Sequence, residues 1–194
     1  MSELFSIQLQ NRQQQGRDGV WLDLPTTTEQ VQAALRQIGI SSDNPQGLFI
    51  SGYFAEEGKR FAIPYNMVLA SNVDELNFLA ARLETLSAGG RAELNAALQA
   101  PQSELFSIGR ITDFPENVDY YVHLPEVHGH AQLGDYYLNR SGMVDMPEEW
   151  KGGIDTAQFG RYVAQQEQGA FTQYGYLVKS GDEWQKVHEG QPVP

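Results

Sequence analysis

His123-Leu-Pro-Glu126-Val-His128-Gly-His130 gathers three imidazoles and a carboxylate within eight residues, the one stretch of the chain where metal-ligand types crowd together. Three such ligands plus a water make a catalytic zinc site, so a metal-dependent hydrolase using His123, Glu126, His128 and His130 is one reading. The spacing matches no standard zinc arrangement, however, and Pro125 and Gly129 break the segment where a strand passes into a helix. A solvated polar loop is the expectation, with no metal assigned. The adjacent pairs Glu56-Glu57 and Glu148-Glu149 offer carboxylates for acid–base work, but such pairs usually mark exposed turns. Glu148 and Glu149 also follow Pro147, where the first turn of a helix favours negative charge.

Other chemistry is narrowed by what the chain lacks. With no cysteine, disulfides, thiolate metal sites, iron–sulfur clusters and cysteine nucleophiles are excluded. There is no Walker loop, no G-x-G-x-x-G and no G-x-S-x-G, and the lysines are only Lys59, Lys151, Lys179 and Lys186. No catalytic residue and no cofactor are therefore assigned, and the chain is read as a non-enzyme.

Charge is the stronger signal. Twenty-five acids against thirteen bases give a net −12, which argues against binding nucleic acid or an anionic membrane through a basic face. No run of apolar residues reaches the length of a membrane span, and the opening MSELFSIQLQNRQQQGR is polar where a signal peptide needs an apolar stretch. A cytoplasmic location is expected. The charge is uneven: residues 103–178 hold eleven acids and four bases, whereas 1–64 hold seven and five.

The elements that must carry these residues can be read from periodicity. Phe5, Ile7 and Leu9 alternate as a half-buried strand requires, and Val20 to Leu24 forms a second strand stopped by Pro25. Thr26-Thr-Thr-Glu29 has capping-box spacing ahead of Val31, Ala34, Leu35 and Ile38, which repeat at helical intervals up to Gly39. Leu48 to Phe54 completes a β-β-α-β unit over 1–64. Residues 65–102 are helical: Asn72-Val-Asp-Glu75 opens a helix with Leu76, Leu79, Leu83 and Leu86 on one stripe, and a second helix runs from Arg91 to Ala100.

The third region, 103–180, begins with SELFSI, the same six letters found at Ser2 to Ile7. Leu24-Pro25 follows Ser2 by 22 residues and Leu124-Pro125 follows Ser103 by 21, each pair then leading to a candidate helix that stops at Gly39 or Gly142. Order and spacing suggest a repeated strand–strand–helix unit in which both SELFSI copies are first strands. A longer helix from Asp155 to about Gln166, a strand from Phe171 to Val178 and a tail over 181–194, with one short strand at Trp184 to Val187, complete the expected α+β chain: small end units, each a three-stranded antiparallel sheet with helices, flanking a short helical middle domain.

Trp21-Leu-Asp-Leu-Pro25, the Asn72 to Leu86 helix, Leu133-Gly-Asp-Tyr-Tyr-Leu-Asn-Arg-Ser-Gly142 and Ile154-Asp-Thr-Ala-Gln-Phe-Gly-Arg-Tyr-Val163 with Tyr174-Gly-Tyr-Leu177 downstream resemble the ArdA antirestriction proteins. The resemblance runs from about residue 4 to 178. It implies an elongated, three-part, dimeric protein encoded on mobile genetic elements, whose surface carboxylates imitate the phosphates of bent duplex DNA and occupy the DNA-binding groove of type I restriction–modification enzymes, at the methyltransferase core. It also implies a homodimer through the C-terminal unit. Duplex DNA carries one charge per about 1.7 Å of axis, so a decoy needs many carboxylates and few bases on one face. Residues 104–155 fit best: Glu104, Asp113, Glu116, Asp119, Glu126, Asp135, Asp145, Glu148, Glu149 and Asp155 stand against only Arg110, Arg140 and Lys151. The alternative is an adaptor of the same fold that binds a protein partner through an apolar patch, the acids serving only solubility.

Overall fold

The computed structural model describes residues 4–14, 18–41, 46–56 and 60–188. Ser2 and Glu3 of the first SELFSI, together with Arg17, Asp43, Glu57, Lys59 and the end of the tail, lie outside the described residues. The chain is α+β, with two three-stranded antiparallel sheets as expected. It divides into two compact units, one formed by residues up to Ser87 with Leu105–Pro115 and the segment from Lys186, the other by Ala88–Glu104 and Glu116–Gln185.

In the first unit, β1 (Phe5–Asn11), β2 (Val20–Leu24) and β3 (Leu48–Phe54) pair in the order β2-β1-β3. Strand alternation puts Phe5, Ile7, Leu9 and Asn11 inside, and Ile7 lies opposite Leu22 on one side and Tyr53 on the other. Helix α1 (Thr28–Gln37) follows Thr27, whose side chain accepts from Gln30 N while Gln30 returns the bond to the Thr27 amide. The capping box is thus one residue later than the Thr26–Glu29 frame, because Pro25 and Thr26 are still needed to turn the chain out of β2. Ala34, Leu35 and Ile38 are buried, and Gly39, at φ 69°, ends the helix in the left-handed region that glycine tolerates. Helices α2 (Tyr65–Leu69) and α3 (Val73–Glu84) follow, the latter capped by Asn72 accepting from Glu75 N at 2.8 Å. The α3 stripe buries Leu76, Leu79 and Leu83 completely. Asn77 ties α3 to the end of β2 by exchanging two hydrogen bonds with Thr26, at 2.7 and 3.0 Å.

The second unit opens with α4 (Ala88–Gln99), which begins three residues earlier than expected. Strands β4 (Tyr121–Leu124), β5 (Ala170–Thr172) and β6 (Gly175–Lys179) pair in the order β4-β6-β5, so the stretch expected as one strand from Phe171 to Val178 is a hairpin. Between β4 and β5 run α6 (His130–Asp135), continued by a single π-turn over Tyr136–Arg140, then α7 (Glu148–Lys151) and α8 (Thr156–Glu167). Val127, Leu133, Ala164 and Tyr176 form the core on one face of the sheet. Helices α6 and α8 cross at two glycines in near backbone contact: a Cβ on Gly160 would lie 1.8 Å from the His130 carbonyl, and one on Gly134 would lie 1.9 Å from that of Thr156.

The second SELFSI corrects the repeat. Ser103 to Ile108 forms no strand; Ser107 accepts from Arg110 N and caps α5 (Ile108–Asp113), with Ile108 already helical. Downstream sequence explains the difference. The first copy continues into Gln-Leu-Gln-Asn, which prolongs the alternation, whereas the second continues into Gly-Arg-Ile-Thr-Asp, whose Ile108, Ile111 and Phe114 make a helical face, buried in the first unit. Trp184 to Val187 is likewise not a strand.

Candidate functional site

The acids over 104–155 do not share one environment. Asp113 ends α5 and is fully buried in the first unit, where its carboxylate accepts from His188 N at 2.6 Å and lies 3.1 Å from the ring Nδ1. This short helix is buried on nearly every side, Arg110, Ile111 and Thr112 included, so Asp113 lies inside and its charge is not offered at the surface. This corrects the expectation of an exposed charge at that position.

The remaining nine belong to the second unit, and several are committed locally. Asp155 caps α8, accepting from Ala157 N at 2.9 Å and Gln158 N at 3.0 Å. Glu104 is held by Lys179 at 2.6 Å, Glu148 by Lys151 at 2.7 Å, and Asp135 by Asn139 at 2.8 Å and Arg140 at 3.4 Å. Such exposed pairs contribute little stability, but each cancels a charge a decoy would need. Glu126 and Asp145, on connections, and Glu149, in α7, are exposed and have no hydrogen-bond or ion-pair partner among the described residues.

Glu116 and Asp119 are brought together with acids that sequence reading left in the tail. They stand on two successive 3-10 turns, Phe114–Glu116 and Val118–Tyr120, on either side of Asn117. Asn117 is buried, donates to the Gln185 carbonyl at 3.0 Å and accepts from Gln185 N at 2.7 Å. Ser180 adds a bond from its amide to the Tyr120 carbonyl at 2.9 Å, and the Trp184 ring meets Tyr120 edge-on at 5.1 Å. These contacts fold residues 180–185 back, so that Asp182 and Glu183 line one shallow depression with Glu116 and Asp119. Nothing in the spacing of Ser180-Gly-Asp-Glu-Trp184 announces this; the signal is the buried Asn117, visible only once folded.

A fifth acid adjoins the group without adding charge. Glu93 lies on α4, its Oε1 is buried without a hydrogen-bond partner among the described residues, and burial, aided by the negative charge of Asp119, pushes its carboxyl up to about 8. At neutral pH it holds a proton.

The three histidines take separate structural tasks. His123 Nε2 is 2.7 Å from the Tyr174 carbonyl, the His130 ring packs edge-on against Phe171, and the His128 amide donates to Gln132. Among the described residues no group of three or more His, Asp or Glu side chains is placed to hold a metal ion. The acidic depression concentrates negative charge and hydrogen-bond acceptors, chemistry suited to cationic groups. Among the described residues, no helix is long and apolar enough to cross a membrane.

A family model described as Antirestriction protein (ArdA) matches residues 15–178 of the chain. No curated protein matches it.

Proposed function

The chain belongs to the ArdA family of antirestriction proteins, and from that premise we propose that it works as an acidic mimic of duplex DNA, occupying the DNA-binding groove of a type I restriction–modification enzyme at its methyltransferase core. The convergence of Glu116, Asp119, Asp182 and Glu183 on one depression carries this reading. A cationic groove that gains affinity by releasing ions from DNA meets here several carboxylates in one place. Glu126, Asp145 and Glu149 add exposed charge in the same unit. The committed acids Glu104, Asp135, Glu148 and Asp155 serve structure first, so the mimic is narrower than the count of ten suggests. Homodimerisation through the C-terminal unit belongs to the same proposal and would double the acidic surface offered.

The test is inhibition of a purified type I enzyme, with pull-down of its methyltransferase core, across a salt series. A decoy weakens steeply as salt rises, because the attraction is between exposed charges. Reversing Glu116, Asp119, Asp182 and Glu183 to lysine abolishes inhibition and flattens the salt dependence, whereas reversing Asp18 and Asp23 in the first unit does neither. Inhibition indifferent to salt sinks the proposal. One observation favours the adaptor instead: Met143, Trp150 and Tyr162 are 74, 66 and 60% exposed in the second unit, and sensitivity to their replacement without salt dependence selects that reading.

A further inference from the structure

We propose that the second unit binds a small amino-acid-like zwitterion in the cavity between the end of α4 and the sheet face formed by Tyr121, Leu177 and Ala170, with Glu167 receiving its ammonium and Lys179 its carboxylate. The cavity has a volume of about 250 Å³, just below the roughly 300 Å³ at which drug-sized sites begin, which suits a metabolite of amino-acid size. Its position follows from the fold. Tyr121 pairs with Lys179 and Ala170 with Leu177, so these side chains share the face opposite the Tyr176 core, and the turn through Pro101 that follows α4 borders the cavity on that face.

Its chemistry is of two kinds. Pro101, Ala170 and Leu177 supply an apolar lining, and Glu167 and Lys179 are its two charged residues. The Glu167 carboxylate is held by two phenols: the Tyr137 hydroxyl donates to Oε1, and the Tyr176 hydroxyl donates to Oε2 at 3.0 Å. Burial first, and then the Glu167 carboxylate, keep both phenols protonated well above their ordinary range, so they remain donors. Each carboxylate oxygen keeps acceptor capacity for a ligand. Gly169, which lines the same cavity, leaves room for this arrangement, since a Cβ there would lie 2.0 Å from the Tyr176 hydroxyl. Lys179 spends one of its three N–H donors on Glu104, which anchors the ammonium and leaves donors to spare. Both groups already have protein partners, Glu167 in two phenols and Lys179 in Glu104, so a ligand with a single charge adds a contact to only one of them; a zwitterion with an aliphatic body adds a contact to both and fills the apolar lining. The inference is independent of DNA mimicry, since the cavity is lined by none of Glu116, Asp119, Asp182 or Glu183.

Amide resonances of the isotopically labelled full chain, followed during titration with L-leucine, isocaproate and isoamylamine, test it. The three share one aliphatic body and differ in carrying both charges, the carboxylate alone and the ammonium alone. The expected result is saturable shifts at Ala170, Leu177 and Val178, with L-leucine binding about tenfold or more tighter than either singly charged probe. Glu167→Gln removes the advantage of L-leucine over isocaproate, and Lys179→Met removes its advantage over isoamylamine. Ala170→Leu, which fills the cavity, abolishes all three titrations. Absence of saturable shifts at these amides, equal binding of the three probes, or undiminished binding by Ala170→Leu overturns the proposal. Inhibition of the restriction enzyme is not part of the readout, so the outcome is separate from the fate of the mimic reading.

Discussion

Replacing Glu93 by glutamine isolates a proton that the fold holds against its ordinary chemistry. The Glu93 carboxyl rises from 4.5 to about 8, chiefly through burial and secondly through the negative charge of Asp119, and its Oε1 has no hydrogen-bond partner to offset the loss of water. A carboxyl raised in this way binds more protons folded than unfolded between the two values, so its contribution is fully present below the unfolded value, is lost progressively as pH rises from there, and levels off above about 8. The full excursion corresponds to about 5 kcal/mol at roughly 1.36 kcal/mol per unit. Because the side chain is only partly buried, solvent screening reduces the usable figure to about 1–2 kcal/mol. For a chain of this size that is a fall in melting temperature of about 2–8 °C. The assay is thermal unfolding of wild type and Glu93→Gln in matched buffers from about pH 4.5 to about pH 9, with ionic strength held constant. Wild type loses stability across that window relative to the variant, which has no carboxyl to ionise. Asp119→Asn removes the second cause and makes the loss smaller. Parallel curves for wild type and Glu93→Gln, or a wild type that gains stability as pH rises, refute the assignment.

Three further substitutions probe the positions where local structure decides the outcome. Asp113→Ala leaves the His188 amide without its acceptor and opens a buried polar site, and urea unfolding should show a loss of about 1–3 kcal/mol with inhibition per folded molecule unchanged. Gly160→Ala drives a methyl into the His130 carbonyl 1.8 Å away; separation of α6 from α8 should cost about 3 kcal/mol or more, read as a collapsed melting temperature or loss of soluble protein. Asp155→Ala removes the cap from two amides at the start of α8 and should cost about 1 kcal/mol by thermal melting, while Asp155→Ser recovers most of it.

Much of the fold is written locally. The alternation of Phe5, Ile7 and Leu9, the stripe of Leu76, Leu79 and Leu83 and the Asn72 cap each need only residues within one or two turns, and the structure keeps all of them; the Asp155 cap, equally local, is a role the structure adds to a residue read from sequence only as a surface acid. Capping frames moved by one residue and helix starts by up to three, because several hydroxyls or small residues in a row leave the first turn a choice that packing makes. The hairpin between β5 and β6 escaped because Thr172-Gln-Tyr-Gly175 lies inside an otherwise continuous apolar-aromatic run, and the turn depends on Gly175 at φ 115°.

The acidic site was legible only as an inventory. Composition over 104–155 announced a charge excess, and that excess is real, but which carboxylates remain available depends on contacts between residues far apart in the chain. Asp113 meets His188 and Glu104 meets Lys179, each across 75 positions, and Asn117 reaches Gln185 across 68. None of these leaves a periodic trace. By itself, the sequence determined the α+β class, the type and approximate place of the strands of the first sheet and of the longer helices, the absence of thiol chemistry and the sign of the charge, since all of these follow from residue type and short-range spacing. Tertiary structure alone decided that one SELFSI is a strand and the other a helix cap, that Asp182 and Glu183 join Glu116 and Asp119, and that Glu93 keeps its proton. Identical letters and like charges acquire different energies once long-range burial determines which of them still touch water.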